Sequence, residues 1–216
     1  MPKSQVGAGQ EARSERTKMQ LVEAAIDVFG RLGFEGASTR ELTQVAKVNQ
    51  TAIPYHFGGK RELYLAAAEH IAAYASHVLL SVQSPEKPFD DGAGRLSREL
   101  CEVAKIILSE DDPKGWTAFV ARCAYEDGEA YSIIHDKAVA PLIDRMVSYF
   151  CGDSQDLEFV AQSRAKITVI FTAMVSFRLL KGIMLRGSPW SDLGPQYMDQ
   201  VSRMIDEVCR SDFLRR

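Results

Sequence analysis

The sequence predicts an all-α fold, with an N-terminal three-helix unit followed by a larger helical body. Apolar residues recur at helical spacing along almost the whole chain, and no segment has the alternating pattern of a strand. Glycine and proline cluster between these periodic stretches, where they end helices. The chain of 216 residues is long enough for one small unit and one larger core. The expected domains are a flexible N-terminal arm at 1–16, a helix-turn-helix unit at 17–65 and a helical body at 66–216.

The first helix is predicted by apolar residues at helical spacing, namely Leu21, Ala25, Val28, Phe29 and Leu32. Gly33 followed by Phe34 is typical of a helix C-cap with its hydrophobic contact. The residues before Thr17 are small and polar, which predicts a mobile arm.

The second helix is predicted to begin at Thr39, because Ser38 and Glu41 form a capping box. In this motif the hydroxyl accepts a hydrogen bond from a backbone N–H, and the carboxylate reaches back to the cap. The buried side of this helix is expected to carry Leu42, Val45 and Ala46.

A third helix is expected from Gln50 to Phe57, after a short turn. Asn49 can cap its start, and Gly58 can end it because a left-handed C-cap is sterically open to glycine. Ile53 should face the core, while the other face is small or polar. Two short helices around a tight turn display such a face for reading DNA.

The body is predicted to be helical almost throughout. A fourth helix should run from Lys60 to Ser81, before a connector that holds two prolines and two glycines. Pro141 should kink or split its helix, because it lacks an N–H and its ring clashes with the preceding turn. The remaining helices are expected at 95–109, 116–125, 130–150, 157–186 and 196–210.

The order of these features resembles the N-terminal DNA-binding domain of the TetR family of transcriptional regulators. The match runs from Thr17 to about Leu65 and includes Leu-Gly-Phe at the end of the first helix, the capped Ser-Thr-Arg-Glu-Leu, and Tyr-His-Phe before Gly-Gly-Lys-Arg-Glu-Leu. Ile-Pro-Tyr-His-Phe, together with Ala-Val-Ala-Pro-Leu-Ile in the body, is similar to a subgroup typified by the cefoperazone and chloramphenicol sensitivity regulator. The resemblance implies a regulator that binds a double-stranded DNA operator, most often as a repressor.

The resemblance and the side-chain chemistry together predict the contacts to DNA. Arg40 is the first candidate for a base reader, because a guanidinium pairs bidentately with guanine O6 and N7. Gln50 suits adenine, while the methyl groups of Thr51 and Ala52 suit a thymine methyl. Lys60, at the start of the fourth helix, is expected to hold a phosphate. The remaining expected contacts to DNA are Thr39, Lys47, Tyr55 and His56.

Two residues depart from the pattern of the family. Lys47 occupies a turn position that usually holds glycine, so either the turn avoids a positive φ or the lysine costs about 1 kcal/mol there. Pro54 lies within the recognition helix, where the family commonly has tyrosine. Its missing N–H is expected to tighten or bend that helix.

The expected helix 157–186 is apolar on nearly all sides between Ile167 and Leu185. Such a helix must be covered on every side, so one stripe should pack inside the subunit and another against a second subunit. The alternative is a buried central helix of a monomer. The resemblance implies a homodimer through the last two helices, whose two-fold axis suits a palindromic operator. The expected interface residues are Ile170, Phe177, Leu180, Met184, Val201, Met204, Ile205 and Val208.

The resemblance also implies a small-molecule effector that binds among the body helices, swings the fourth helix and releases the operator. The pocket should be mostly apolar and suit an apolar or amphipathic ligand. For its aromatic residues the alternative is ordinary core packing, and for its cations it is pairing at the surface. The expected lining residues are Trp116, Phe119, Arg122, Tyr125, Phe171, Met174, Phe177 and Arg178, with Lys181 as a further polar anchor.

The net charge of −3 is spread unevenly, since residues 1–70 carry nine Lys/Arg and eight Asp/Glu, and residues 71–216 carry seventeen and twenty-one. DNA binding needs cations near the groove, so a net acidic chain is compatible with it. The sequence holds no apolar run of membrane-spanning length and no signal-peptide core, and we therefore expect a cytoplasmic protein.

Other classes of protein have little support in the sequence. An enzyme would need a convergent nucleophile, base and oxyanion donor, and none is evident. The four histidines are scattered, and the cysteines at 101, 123, 151 and 209 lack metal-ligand spacing, so no metal or other cofactor is expected. The cysteines should be reduced and mostly buried. Thiol oxidation, a partner protein, or no ligand at all are the alternatives to a small-molecule effector.

Overall fold

The structure is a computed structural model, and it describes residues 4–82, 91–109, 115–186 and 194–214. Within these ranges it contains eleven α-helices, a π-helical turn at His135–Val139 and no strand, which confirms the predicted all-α fold. The helices are α1 Ser4–Gly36, α2 Thr39–Ala46, α3 Ala52–Phe57, α4 Lys60–Ser81, α5 Gly92–Leu108, α6 Trp116–Glu126, α7 Glu129–Ile134, α8 Ala140–Cys151, α9 Leu157–Leu179, α10 Lys181–Leu185 and α11 Pro195–Arg210.

Two compact units divide the described chain, and the division differs from the expected domains. The first unit holds the residues up to Ala73 together with 115–135, which the sequence analysis assigned to the body. The second unit holds 74–109 with the described residues from Asp136 onward. The first unit therefore contains α1–α3, most of α4, α6 and α7, and its boundary within α4 lies beyond Leu65.

The packing of α6 against α1 explains this division of the chain. Two glycines lie where the helices approach closely. A Cβ on Gly30 would be 3.0 Å from the Gly115 carbonyl oxygen, and a Cβ on Gly115 would be 2.9 Å from the Asp27 Cα. Gly115 also has a φ of 84°, which favours glycine. The glycines thus allow a close contact between segments that are more than eighty residues apart.

Helix α1 is longer than the sequence predicted. Residues 4–16, expected to form a flexible arm, are helical and continue α1 toward the N-terminus. The stretch from Gln10 to Arg13 consists of strong helix formers, which extend an existing helix at low cost. The predicted break at Gly33 is present as a kink with φ 74° and ψ 173°. Residues 1–3 lie outside the described chain.

The core of the second unit forms where α5 packs against α8, α9 and α11. A buried ion pair lies within it, between Arg145 of α8 and the fully buried Glu99 of α5. The same guanidinium donates hydrogen bonds to the carbonyl oxygens of Leu79 at 2.7 Å and Leu80 at 2.8 Å. Because these carbonyls belong to the last turn of α4, Arg145 satisfies groups that the helix itself leaves unpaired.

One predicted helix of the body is interrupted in the structure, and the predicted split of another helix is present. The expected helix 157–186 is interrupted at Leu180, where φ is −107° and ψ is 26°, so that α9 and α10 are separate helices. The predicted split near Pro141 is present, because α7 ends before the π-helical turn and α8 starts with Pro141 in its first turn. A proline is tolerated there, since N–H groups of the first turn have no partner within the helix.

Candidate nucleic-acid interface

The start of α2 agrees with the predicted cap. Ser38 has extended backbone angles, and its Oγ accepts a hydrogen bond of 3.1 Å from the Glu41 backbone N–H. The buried side differs in one residue from the expectation: Thr43 is buried and Val45 is exposed. The Thr43 hydroxyl donates to the Thr39 carbonyl oxygen at 3.0 Å, which satisfies this buried polar group.

The turn after α2 adopts the strained conformation that the sequence left open. Lys47 has φ 56° and ψ 41°, in the left-handed region, and its N–H donates to the Gln44 carbonyl oxygen at 3.2 Å. A residue with a Cβ costs about 1 kcal/mol in this region relative to glycine. The side chain of Lys47 is exposed beside α2 and α3.

Asn49 was expected to cap the recognition helix, and its side chain instead holds the turn just before it, where Thr51 is the N-cap residue and makes no side-chain cap hydrogen bond. The Asn49 Oδ1 accepts hydrogen bonds from the Thr51 N–H and the Thr51 hydroxyl, both at 3.0 Å. Helix α3 begins at Ala52, two residues later than expected, because Gln50 and Thr51 form a hydrogen-bonded turn. Ile53 is fully buried.

Pro54 causes no break in α3. The Tyr55 N–H donates to the Thr51 carbonyl oxygen and the Gly58 N–H donates to the Pro54 carbonyl oxygen, both at 3.1 Å. Pro54 lies in the first turn of the helix, where a missing N–H removes no bond within the helix. The helix ends at Gly58, which has a φ of 89°.

All nine expected DNA contacts lie in the first unit and outside its fully buried core. The helical spacing and the caps point their side chains away from Leu42 and Ile53, which are fully buried. Six of these residues are exposed, namely Thr39, Arg40, Lys47, Gln50, Thr51 and Tyr55, and three are half-buried, namely Ala52, His56 and Lys60. Their contacts to DNA remain a prediction.

Lys60 has a neighbour that the sequence analysis did not connect with it. Its Nζ lies 4.5 Å from the ring centroid of Phe34, in a cation–π contact. Phe34 in turn lies 5.2 Å from Tyr64 and 6.0 Å from Phe29, measured between ring centroids. Gly33-Phe34 was recognised only as a helix end, and its role beneath Lys60 depends on how α1 meets α4.

Tyr64 connects α4 with α6. Its hydroxyl lies 3.2 Å from the Cys123 Sγ and donates to the Glu126 Oε2 at 3.3 Å. Burial raises the pKa of Tyr64 above its ordinary value and raises the pKa of Cys123 to about 11. Both groups therefore stay protonated and uncharged at neutral pH.

An open cavity of about 210 Å³ lies beside this contact, within the first unit. Its apolar walls come from α1, α4, α6 and α7, and an ion pair between Arg61 and Glu129 lies among its lining residues. No local sequence pattern predicts this cavity, because its lining residues come from segments nearly one hundred residues apart. Its main apolar lining residues are Phe34, Tyr64, Leu65, Ala130 and Tyr131.

The expected effector-pocket residues fall in different units. Trp116, Phe119, Arg122 and Tyr125 belong to the first unit, and the remaining four belong to the second. Tyr125 is 91% exposed on its own unit, and its place in an effector pocket remains a prediction. Its position one residue before the last of α6 places it beyond the apolar stripe that contains Phe119 and Cys123. The other members have structural contacts.

Arg122 donates to the carbonyl oxygens of Gly30 at 3.5 Å and Arg31 at 3.4 Å, near the kink of α1. Arg178 similarly donates to the carbonyl oxygens of Ile107 at 3.2 Å and Ser109, at the end of α5. The three core members are Phe119, Phe171 and Met174, and Trp116 and Phe177 are half-buried. The side chain of Lys181 lies outside the described residues.

The expected dimer-interface residues also divide into two groups. Ile170, Val201 and Ile205 are buried in the core of the second unit. Leu180, Met204 and Val208 are exposed, and Phe177 is half-buried. Val169 and Ile183, which the expected set omitted, are exposed apolar residues of α9 and α10. The side chain of Met184 lies outside the described residues.

Among the residues described, no three His, Cys, Asp or Glu side chains gather in a way that could hold a metal ion. No helix in the same ranges is both long enough and apolar enough to cross a membrane.

Comparisons with known proteins agree with this geometry. Residues 21–67 match the family described as bacterial regulatory proteins, tetR family. Residues 93–213 match the C-terminal domain of the HTH-type transcriptional dual regulator CecR. The chain is 28% identical over 213 residues to the HTH-type transcriptional dual regulator CecR of Shigella flexneri, which covers 94% of this chain and 92% of that protein.

Two further relatives extend the comparison. The HTH-type transcriptional repressor NicS of Pseudomonas putida is 36% identical over 61 residues, which are 28% of this chain and 29% of that protein. The crystal structure of a TetR-family regulator from Mesorhizobium loti has the same fold, with a TM-score of 0.62 at 14% identity over 94% of this chain and 96% of that one. With the CecR match spanning more than half of its length, the chain belongs to the TetR family of DNA-binding transcriptional regulators, with a C-terminal domain of the CecR type, and it is not an enzyme.

Proposed function

We propose that the chain is a homodimeric repressor that binds a palindromic operator and is released from it by a small apolar or amphipathic ligand. We expect it to act in the cytoplasm. The observation that carries the proposal is the exposed polar face of α2 and α3, where the Ser38 side chain caps the start of α2 and the Asn49 side chain holds the turn before α3. A contact surface on fixed elements holds its side chains more precisely than a loop does.

The reading of bases is assigned to Arg40 and to the start of α3. Arg40 is exposed on α2, where its guanidinium can reach guanine O6 and N7. Gln50 and Thr51 are exposed at the turn into α3, and Ala52 offers a methyl group beside them. Lys60 supplies a phosphate contact, since its position above Phe34 leaves less side-chain freedom to lose on binding.

The homodimer is supported by exposed apolar side chains near the C-terminal helices. Ile183 is 68% exposed and Leu180 is 50% exposed, and Met204 and Val208 of α11 are exposed as well. Covering these residues would remove apolar area from water at a gain of about 25 cal/mol per Å². A two-fold dimer also presents two α3 helices, which is the arrangement that reads a palindrome.

The ligand response rests on the apolar cavity of the first unit, which is described above. Of the alternatives, thiol oxidation at Cys123 or Cys209 is disfavoured. Burial raises the pKa of Cys123 to about 11 and that of Cys209 to about 12, and a thiol that stays protonated reacts slowly with oxidants. Control by a partner protein, or by no ligand, is the second candidate. It is favoured if no small molecule changes the affinity for the operator.

The role of Arg40 is tested by comparing Arg40→Ala with Lys60→Ala on an operator selected from random DNA by the wild-type protein. Losing a bidentate base contact should cost about 1 to 3 kcal/mol of discrimination. Losing a phosphate contact should weaken binding to all DNA sequences alike and make the dependence of log affinity on log salt concentration shallower by about one unit. Arg164→Ala, which removes an exposed arginine of α9, is the control. Equal losses on operator and random DNA for Arg40→Ala would reject its role as a base reader.

The dimer is tested by sedimentation of the wild-type chain and of Ile183→Glu. The wild type should sediment with twice the 24.0 kDa mass of one chain, and the variant should dissociate because a carboxylate would be buried. Leu157→Glu is the matched control, since Leu157 is also an exposed apolar residue but lies at the opposite end of α9. A wild-type monomer at micromolar concentration contradicts the proposal.

A further inference from the structure

The cavity of the first unit has the size of a small aromatic molecule. Its volume is about 210 Å³. Apolar cavities of about 150 Å³ accept benzene, whereas drug-sized ligands occupy roughly 300 to 1,000 Å³. One ring with a short side chain therefore fits, and a large multi-ring molecule does not. The rings of Phe34, Tyr64 and Tyr131 provide the apolar surface against which such a ring packs.

The charged residues of the cavity favour a cation. Glu126, Glu129 and Arg61 are all lining residues, and all three are exposed, which places them at its opening. Arg61 is paired with Glu129, so the Glu126 carboxylate is the surplus charge. Its contact with the Tyr64 hydroxyl is long, at 3.3 Å. An ammonium group would be attracted by this carboxylate and by the faces of nearby aromatic rings, whereas the carboxylate would repel an anion.

We propose that this cavity is an effector site for a small arylalkyl ammonium ion. The ring of the ligand packs among Phe34, Tyr64 and Tyr131, and the ammonium group pairs with Glu126 at the opening. The site lies in the same unit as the DNA-reading helices, and none of the expected effector-pocket residues lines it.

Phe34 gives the site a direct connection to the DNA contacts. The same ring that forms a wall of the cavity supports the Lys60 ammonium at 4.5 Å. A ligand that packs against Phe34 shifts this ring and adds a second cation nearby, which repels Lys60 from its support. The link to operator release rests on the proposed function, in which Lys60 holds a phosphate. Reciprocity then requires that operator binding lower the affinity for the ligand by the same factor.

Calorimetric titration of the full chain with three matched probes tests the site: 2-phenylethylamine, 3-phenylpropionate and 2-phenylethanol. The amine should bind about tenfold more tightly than the acid, because one charged contact changes from attraction to repulsion. Glu126→Gln should lower the affinity for the amine by about threefold to fivefold and leave the affinity for 2-phenylethanol unchanged. Glu35→Gln, which removes an exposed carboxylate of the same unit outside the cavity, should change neither. Equal affinities for the three probes, or equal effects of the two variants, would overturn the proposal.

A second measurement separates this inference from the proposed function. Operator affinity is measured with and without saturating 2-phenylethylamine, and we expect it to fall on the order of fivefold or more. If the chain binds its operator but no amine, the effector site is rejected and the DNA-binding proposal stands. If the amine binds with the expected dependence on Glu126 but leaves operator affinity unchanged, the effector role is rejected. If the chain binds amine but prefers no DNA sequence, the proposed function fails instead.

Discussion

Replacing Arg145 tests how firmly the second unit holds the end of α4. This guanidinium pairs with the fully buried carboxylate of Glu99 and donates to the carbonyl oxygens of Leu79 at 2.7 Å and Leu80 at 2.8 Å. Arg145→Ala removes the charge that faces Glu99 and leaves two carbonyls of the last turn without this donor. Breaking a buried pair on one side costs about 3 to 5 kcal/mol.

The size of this loss is large against the total stability of a domain, which is about 5 to 15 kcal/mol. The assay is urea unfolding at a fixed protein concentration, followed by circular dichroism, with stability taken from linear extrapolation. Arg145→Lys should lose less, because an ammonium keeps the charge but cannot span three acceptors as a planar guanidinium does. Glu99→Gln combined with Arg145→Ala should recover part of the loss, since a neutral amide then replaces the buried carboxylate that Arg145 faced.

The matched control is Arg164→Ala. Arg164 also forms an ion pair in the second unit, with Asp144, but the two side chains are 48% and 60% exposed. Exposed pairs contribute about 0 to 1 kcal/mol. The reasoning is refuted if Arg145→Ala costs less than about 1 kcal/mol, or no more than Arg164→Ala, because the buried pair would then contribute no more than a surface pair.

Two further predictions concern Lys47 and the buried thiols. Lys47→Gly should raise the free energy of unfolding by up to about 1 kcal/mol, since its φ of 56° favours glycine, and should weaken DNA binding because a cation is lost; a drop in stability would contradict the strain. Burial raises the pKa of Cys209 to about 12, so about one native molecule in ten thousand carries the thiolate at pH 8. Cys209 should therefore react with a thiol reagent at that pH only after denaturation. The raised pKa also means that folding loses stability as the pH rises from the ordinary thiol pKa toward 12, and rapid labelling of native Cys209 at pH 8 would exclude this burial.

The local features of the DNA-reading helices could be predicted because they depend on a few neighbouring residues. Ser38 and Asn49 accept hydrogen bonds from N–H groups two or three residues ahead, and Gly58 ends α3 with a positive φ. The bounds of α4 follow in the same way from the glycines before it and the end of its apolar period. Each of these interactions acts within about one helical turn, so the order of residues is enough to define it.

Which side of a helix is buried was decided only by tertiary packing. The stretch from Ile167 to Leu185 is apolar nearly all round, and its sequence alone cannot tell that Ile170 faces the core while Val169 and Ile183 face outward. The cavity and its connection to Lys60 likewise depend on contacts between distant segments, such as Tyr64 with Cys123, which are 59 residues apart. Periodicity identifies a helix and its apolar residues, but the partner of each face depends on the packing of whole helices against one another.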